Sequence, residues 1–251
     1  MMKIRLGTRG SRLALWQAHR VADLIRKASP GTGVELVIIK TTGDERSEFG
    51  EDLPEEVGEF SSELEKQLAQ EVIDAAVHSA KDLPTQFPKS LCVAAYPERA
   101  DPRDALVRKR TDSEKPSRGS VVATGSPRRD MLWRERWKET EIRGIRGNVD
   151  RRLEKLEDDV SLWGLVLACA GIDRLGGVPE KLVMERLDPS WMVPAPGQGA
   201  LAVECRRKTT KCERFWRRSM TRRCEPVWRR RRVFCRSGGE GVRNRWGLLG
   251  R

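Results

Sequence analysis

The sequence lacks several features that would assign it to a familiar class. It contains no run of eighteen apolar residues, so we predict no membrane-spanning helix. The N-terminal segment carries charges within its apolar stretch and has no small-residue cleavage site, so we expect no secretory signal and a cytoplasmic location. With only two histidines, and no Cys-x-x-Cys pair among its six cysteines, we expect no bound metal.

The net positive charge of the chain is concentrated at its C-terminal end. The net charge is +12, but residues 206–251 hold 17 basic and 3 acidic side chains, and residues 1–205 hold 32 basic and 34 acidic ones. The basic character therefore belongs to residues 206–251, and bulk charge says nothing about what residues 1–205 bind. We expect no nucleic-acid partner. Nucleic-acid binding through the tail is an alternative that depends on the tail alone.

Residues 1–206 alternate short β-rich runs with longer helical patterns. The predicted strands of the first half are KIRLGT, VELVIIKTTG, IDAAVHSA and LCVAAYP, and its predicted helices are SRLALWQAHRVADLIRKA and SSELEKQLAQEV. The charged segment PERADPRDALVRK interrupts the pattern, and we place a crossover there. The second half predicts the strands SVVATGS, EIRGIRG and LWGLVLACAG, the helices PRRDMLWRERWKE and NVDRRLEKLED, and a return crossover, MVPAPGQGALAVEC, that ends in a strand.

This order predicts an α/β protein with two lobes, each a mixed sheet covered by helices. Two such units joined by paired crossover hinges resemble periplasmic binding proteins. We place lobe 1 at residues 1–98, completed by about 195–206, and lobe 2 at residues 99–194. Residues 207–251 have no sustained period and almost no acidic side chains, so we expect a poorly ordered, aberrant basic tail.

Four segments place polar or basic residues just after predicted strands, where open α/β sheets bind ligands. In GTRGSRLALWQ, the guanidinium of Arg9 can donate two parallel hydrogen bonds to an anion. Ser11 can help to bind that anion or can act only as the N-cap of the helix. In HSAKDLPT, Ser79, Lys81 and Asp82 follow an apolar strand. An aspartate beside a lysine can stay ionised, and it could also shuttle a proton to a leaving amine. A solvated turn without a functional role is an equally good interpretation of this segment.

The third and fourth segments carry most of the arginines. Thr124 and Ser126 precede a helix whose first turn holds Arg128 and Arg129, and adjacent arginines there oppose the helix dipole unless an anion is present. We therefore favour a carboxylate or phosphate site over a solvated face.

The fourth segment, IRGIRGNVDRRLEKL, places Arg146 and Asn148 at a strand end and Arg152 one helical turn further on, and Arg174 can join them. At least six guanidinium groups then line one cleft. A small ligand with many carboxylates matches that cleft better than a nucleic-acid duplex does.

Seven segments in order resemble the porphobilinogen deaminase (hydroxymethylbilane synthase) family over roughly residues 3–206: GTRGSRLALWQ, HSAKDLPT, DPRDA, GSPRR, IRGNVDRRLEKL, LACAGIDRLG and PAPGQGALAVEC. The resemblance implies a transferase of tetrapyrrole (heme) biosynthesis, and we expect a monomer. It would join four porphobilinogen units head to tail with loss of ammonia, on a dipyrromethane cofactor held by a cysteine thioether, and release hydroxymethylbilane.

The resemblance also implies roles for individual residues. Asp82 would be the catalytic acid/base that assists ammonia loss and stabilises the cationic pyrrole. Gly197, Gln198 and Gly199 would help form the hinge. The pyrrole acetate and propionate groups would be bound by Arg9, Ser11, Ser79, Lys81, Thr124, Ser126, Arg128, Arg129, Arg146, Asn148, Arg152 and Arg174.

The chain departs from the family pattern in two places. The segment LPEEVGEFSSELE is shorter and more acidic than the family's glycine- and lysine-rich lid, so no lid lysine is carried over. The family's spacing places the cofactor cysteine near Val242, and this sequence has GGEGVRNRWGLL there. We expect the family's third α/β domain to be absent and the dipyrromethane to lack its anchor.

A reading-frame shift near residues 206–208 is our hypothesis for the tail. Read one base out of frame, the codons around Val242 can encode Gly-Gly-Cys-x-x-Pro-Val-Gly-Ala, which is the family's cofactor loop. On this hypothesis the chain as written is poorly active or inactive. A non-catalytic two-lobed protein that captures a small polyanion is the alternative function, and a true divergent tail is the alternative to the frameshift.

Overall fold

A computed structural model describes residues 2–40, 59–84 and 88–207. Most of the acidic segment before SSELE, the end of the motif HSAKDLPT and the tail with Val242 lie outside the described residues.

The first sheet has five strands in the order β2-β1-β3-β10-β4. They span Lys3–Thr8 (β1), Gly33–Ile38 (β2), Ala75–Ser79 (β3), Leu91–Ala95 (β4) and Leu201–Arg206 (β10). β1 runs parallel to β2 and β3, whereas β10 runs antiparallel to β3 and β4. The sheet is therefore mixed, and its parallel strands end at one edge.

The second sheet repeats this plan in the order β7-β6-β8-β5-β9. Its strands are Asp104–Lys109 (β5), Val121–Ala123 (β6), Glu141–Arg143 (β7), Leu162–Ala168 (β8) and Leu182–Arg186 (β9). β6, β7 and β8 are parallel, and β5 is antiparallel to β8 and β9. β4 leads into β5, and β9 leads into β10, so the chain crosses between the sheets twice.

Each sheet carries apolar side chains on both of its faces, and helices pack against both faces and bury them. The helices are Arg12–Ala28 (α1), Glu59–Ala69 (α2), Pro127–Arg136 (α3), Val149–Asp158 (α4) and Cys169–Arg174 (α5). α1 buries Val21 and Ile25 in the first sheet's core, and α2 buries Leu64 and Leu68 in a separate cluster. On the second sheet, α4 and α5 contribute to one cluster, and Trp133 of α3 belongs to another.

The predicted fold class, two mixed-sheet lobes joined by crossovers, is confirmed, but three local expectations are wrong. The segment PERADPRDALVRK is only half crossover, because Asp104–Lys109 form β5, which lies between β8 and β9 in the second sheet. LWGLVLACAG ends as a strand at Ala168, and its last three residues begin α5. β9, LVMER, was not predicted. Short apolar runs carry no periodicity that separates a buried strand from a buried helix, so tertiary packing decided these cases.

Candidate active site

The candidate site lies where the parallel strands of both sheets end. β1 and β3 of the first sheet lead into the segments that contain Arg9 and Asp82, and β6 of the second sheet leads into the segment that contains Arg128. The carboxyl ends of parallel strands form the crevice in which open α/β sheets bind ligands. Crossover residues 187–200 return to the same region, because Ala80 N–H donates to Ala200 O at 2.9 Å.

The end of β3 and the turn after it are held by contacts from α1 and β10 and by a hydrogen bond within the turn. Ser79 Oγ accepts a hydrogen bond from Gln17 Nε2 of α1 at 3.1 Å. One residue earlier, His78 Nε2 lies 3.1 Å from Glu204 Oε2 of β10, and both side chains are buried. Asp82 N–H donates to Ser79 O at 3.0 Å, which closes a tight turn. The Asp82 side chain is exposed, so a fixed backbone presents a carboxylate to solvent.

A buried ionic network sits opposite this turn, at the start of β5. The Asp104 carboxylate is fully buried and lies 2.8 Å from Arg128 Nη1 and 2.8 Å from Arg129 Nη2. Gln198 Nε2 also donates to Asp104 Oδ1 at 2.9 Å and to Pro102 O at 2.8 Å. The network therefore joins both crossovers to the first turn of α3.

The charges of the network alter one another's pKa values. Burial by itself would raise the pKa of Asp104, but the nearby charges of Arg129 and Arg128 outweigh burial and lower it. Burial lowers the pKa of Arg129, against the opposing effect of Asp104.

Lys81 of the first sheet belongs to the same electrostatic environment. Burial lowers the pKa of its ammonium; Asp82 and Asp104 act to raise it, and Arg129 and Arg128 act to lower it. The second crossover contacts both segments: a Cβ atom on Gly197 would lie 3.2 Å from Lys81 N, and the next residue, Gln198, hydrogen-bonds to Asp104.

Arg174 at the end of α5 makes a second link between the sheets. Its guanidinium donates through Nη2 to Gly199 O at 2.7 Å and lies 5.6 Å from the ring centroid of Trp16 on α1. Burial lowers the pKa of Arg174 to about 10, and Asp173 opposes that shift. A cation held over an aromatic face and against a crossover carbonyl ties the helices of both sheets together.

The predicted hinge residues lie in tight backbone packing. Gly197 and Gly199 have φ angles of +81° and +83°, which disfavour residues with a side chain. A Cβ atom on Gly199 would lie 2.5 Å from Ala100 O, and one on Gly197 would lie 3.2 Å from Lys81 N. Gln198 is fully buried. Their role as a hinge stays a prediction.

The remaining predicted residues on the second sheet make local contacts of their own. Thr124 is buried, and its Oγ1 accepts from Ser126 N–H at 3.3 Å. Ser126 and Asn148 are the N-cap residues of α3 and α4, and neither side chain makes a capping hydrogen bond. Arg152 donates through Nε to Gly147 O at 2.6 Å, and its Nη1 lies beside Gly125.

Arg146 lines a cavity of about 400 Å³ beside β7, together with Arg143, Lys155 and Asp158. Neither Asp82 nor Arg128 belongs to that lining. On the first sheet, Arg9 is half-buried directly after β1. Ser11 caps α1, and its Oγ accepts from Ala14 N–H at 3.3 Å.

Sequence analysis assigned no role to Asp104, Gln17 or Trp16, although all three hold predicted site residues in place. For Asp104, the available signal was a single acid directly before the apolar run ALV. Within the described residues, no group of three or more His, Cys, Asp or Glu side chains could hold a metal ion. No helix in that same part of the chain is long and apolar enough to cross a bilayer.

The fold is a two-lobed α/β protein in which Arg128, Arg129 and Arg174 lie at the crossovers between the two sheets. Residues 4–214 match the family described as "Porphobilinogen deaminase, dipyromethane cofactor binding domain". The chain therefore belongs to the porphobilinogen deaminase family, which confirms the resemblance seen in its motifs.

Named relatives agree with this assignment. The chain is 42% identical over 208 residues to the porphobilinogen deaminase of Syntrophomonas wolfei, covering 82% of this chain and 67% of that protein. It is 47% identical over 205 residues to that of Mycobacterium leprae, covering 81% and 62%. The chain thus spans about two thirds of the length of these relatives, and less for several others.

Solved structures support the two-lobed fold. The Bacillus subtilis ytmK protein, a probable amino-acid ABC transporter extracellular-binding protein, matches with a TM-score of 0.51 at 9% identity, covering 87% of this chain and 91% of that one. The VFT2 domain of Bordetella pertussis BvgS matches with a TM-score of 0.50 at 14% identity, covering 87% and 85%. At such identities the likeness concerns the fold alone.

Proposed function

We propose that residues 2–207 form the porphobilinogen-binding part of a hydroxymethylbilane synthase, a transferase that joins four porphobilinogen units with loss of ammonia. The observation that carries the proposal is the second crossover, which packs at Gly197 against the backbone of Lys81 and hydrogen-bonds through Gln198 to Asp104, the partner of Arg128 and Arg129. Membership of the family supports the reaction. We place lobe 1 at residues 1–98 and about 195–206, and lobe 2 at residues 99–194.

Guanidinium groups are suited to bind the two carboxylates that each pyrrole unit carries. The Nε atoms of Arg128 and Arg174 are buried and have no hydrogen-bond partner among the described residues. A buried donor without a partner costs free energy, and a carboxylate would satisfy it in bidentate geometry. Arg129 donates hydrogen bonds to Asp104 Oδ1 and, at 3.2 Å, to Val166 O. Its role would therefore be to hold the Asp104 carboxylate in place.

Asp82 is placed for proton handling at the aminomethyl carbon. Its backbone is fixed by the turn to Ser79, and the residue is exposed directly after β3. The carboxylate would accept the pyrrole N–H, stabilise the positive charge that develops on the ring, and assist departure of the amine as ammonia. Lys81 beside it would bind a substrate carboxylate.

The described residues fit the carboxylates of a dipyrromethane, because the donor set with its buried arginine Nε atoms suits acetate and propionate groups. Arg128, Arg174 and Lys81 would hold those groups. When bound, the dipyrromethane supplies the pyrrole to which the first substrate unit is joined. The sequence supplies no cysteine at the expected anchor position, which Val242 occupies, so we expect no covalent attachment.

Porphobilinogen binding tests the proposal directly. Calorimetry with the full chain is expected to show binding, and Arg128→Gln is expected to weaken it at least about tenfold through loss of a charge-assisted pair. Arg134→Gln is the matched control, because Arg134 lies on the same helix but its side chain is exposed and paired with Asp130. Failure of the wild-type chain to bind porphobilinogen would refute the proposal. Equal affinity for citrate would favour the non-catalytic polyanion-binding protein.

We further propose a monomer that works in the cytoplasm, without nucleic acid or membrane. The near balance of charge over residues 1–205 supports the absence of a nucleic-acid partner. Light scattering after gel filtration measures the mass of the particle. A dimer mass would contradict the monomer.

A further inference from the structure

Two cysteines face each other on neighbouring strands of the first sheet. Cys205 on β10 is the register partner of Cys92 on β4, and the two strands are antiparallel. Directly opposed residues of an antiparallel pair point to the same face of the sheet. The two Sγ atoms lie 4.0 Å apart, and neither thiol is part of a disulfide.

The two thiols differ in their access to solvent. β4 is an edge strand of the sheet, and Cys92 is partly exposed there. Cys205 is fully buried in the core cluster between β10 and α1. A small oxidant therefore reaches Cys92 first, and Cys205 is placed to react second.

The strand geometry permits a bond between the two sulfur atoms. A disulfide requires an S–S distance of about 2.05 Å and Cα atoms about 4.4–6.8 Å apart. Opposed residues of antiparallel strands have Cα atoms about 4.5–5.5 Å apart, which lies inside that range. The two sulfur atoms would have to approach by about 2 Å from their present separation of 4.0 Å, through rotation of the two side chains.

We propose that Cys92 and Cys205 form a redox modification site that closes to a cross-strand disulfide with a small-molecule disulfide as oxidant. The Cys92 thiolate attacks one sulfur of the oxidant, the oxidant's S–S bond breaks, and one thiolate leaves. The Cys205 thiolate then attacks Cys92 Sγ, which releases the second thiolate. The two protons lost by the protein thiols go to the two leaving thiolates, so one oxidant disulfide is reduced as the protein dithiol is oxidised.

Closure would constrain the chain across both crossovers. The loop from residue 92 to residue 205 contains every strand of the second sheet and both connections to it. A disulfide that closes so long a loop removes conformational freedom from the unfolded chain. The oxidised protein should therefore melt at a higher temperature than the reduced protein, independently of any pyrrole chemistry.

Peptide mapping of the full chain tests the site. The protein is equilibrated with mixtures of reduced and oxidised glutathione, the remaining thiols are alkylated, and tryptic peptides are analysed without reduction. We expect peptide 90–99 linked to peptide 187–206, with Cys169 alkylated. Cys169 is the internal control, because it is as fully buried as Cys205 but lies on α5 and not opposite a second cysteine on a neighbouring strand.

Variants separate this site from the cysteines of the tail. In a chain with Cys212→Ser, Cys224→Ser and Cys235→Ser, the linked peptides and an oxidation-dependent rise of several degrees in the melting temperature should persist. Adding Cys92→Ser or Cys205→Ser should abolish both, and dithiothreitol should reverse both in the parent chain. If Cys92 and Cys205 are recovered only as alkylated or separately glutathionylated peptides at the most oxidising ratio, the proposal is overturned.

Discussion

Replacing Asp104 by asparagine is expected to destabilise the protein far more than a matched change in an exposed ion pair. The Asp104 carboxylate has no exposed surface and contacts Arg128, Arg129 and Gln198. Asparagine keeps one oxygen for Arg129 and Gln198, but its NH₂ group would face the Arg128 Nη1 donor now 2.8 Å from Oδ2. Two guanidinium groups would also lose their buried counter-charge.

Removing one partner of a buried ion pair costs about 3–5 kcal/mol. For a chain of this size that corresponds to a fall in Tm of about 6–20 °C. Asp130→Asn is the control: it makes the same chemical change in an i,i+4 pair with Arg134 on α3, where both side chains are well exposed. Such pairs contribute only about 0.3–0.5 kcal/mol.

Denaturant unfolding followed by tryptophan fluorescence measures both variants, because Trp133 is buried in the second sheet's core. The structural reasoning is refuted if Asp104→Asn loses no more free energy of unfolding than Asp130→Asn.

The effect should also depend on pH. The pKa of Asp104 in the folded protein lies below its ordinary value of 3.8, so its contribution to stability is present above the unfolded pKa and is lost as pH falls through the folded value. The difference in stability between wild type and Asp104→Asn should stay constant between about pH 5 and pH 7 and shrink below about pH 4. A constant difference down to pH 2 would contradict this electrostatic origin.

Three further outcomes are expected. Intact-mass measurement of the purified chain should show no dipyrromethane adduct, since Val242 stands at the anchor position; an adduct would contradict this, and a chain with its reading frame restored after Cys205 should carry one. In that restored chain, Asp82→Asn should reduce porphobilinogen turnover by at least about a hundredfold with an unchanged Tm, because Asp82 is exposed; unimpaired turnover would exclude a catalytic role. Gly199→Ala should destabilise the protein more than Gly176→Ala. Both glycines have a positive φ, but only at Gly199 would the added Cβ atom lie 2.5 Å from a backbone oxygen. Equal decreases in melting temperature would show that the surrounding backbone relaxes around the added Cβ atom.

Local patterns in the sequence were enough to predict the family, the alternation of strands and helices, and the positions where polar residues follow strands. These features depend on neighbours along the chain: Ser11 caps α1 and Pro127 begins α3. The motif order adds long-range information only because a known family shares it.

Which charges meet was decided by the tertiary structure. Arg128 and Arg129 were predicted equally as ligands for an anion. Both pair with Asp104, but Arg129 also donates to Val166 O, whereas Arg128 keeps a buried Nε atom without a partner among the described residues. The two arginines are neighbours in sequence, but successive residues on a helix point in directions about 100° apart, so only packing decides which further contacts each one makes. The pairing of Cys92 with Cys205 is likewise invisible in the sequence, because strand register joins positions that lie more than a hundred residues apart.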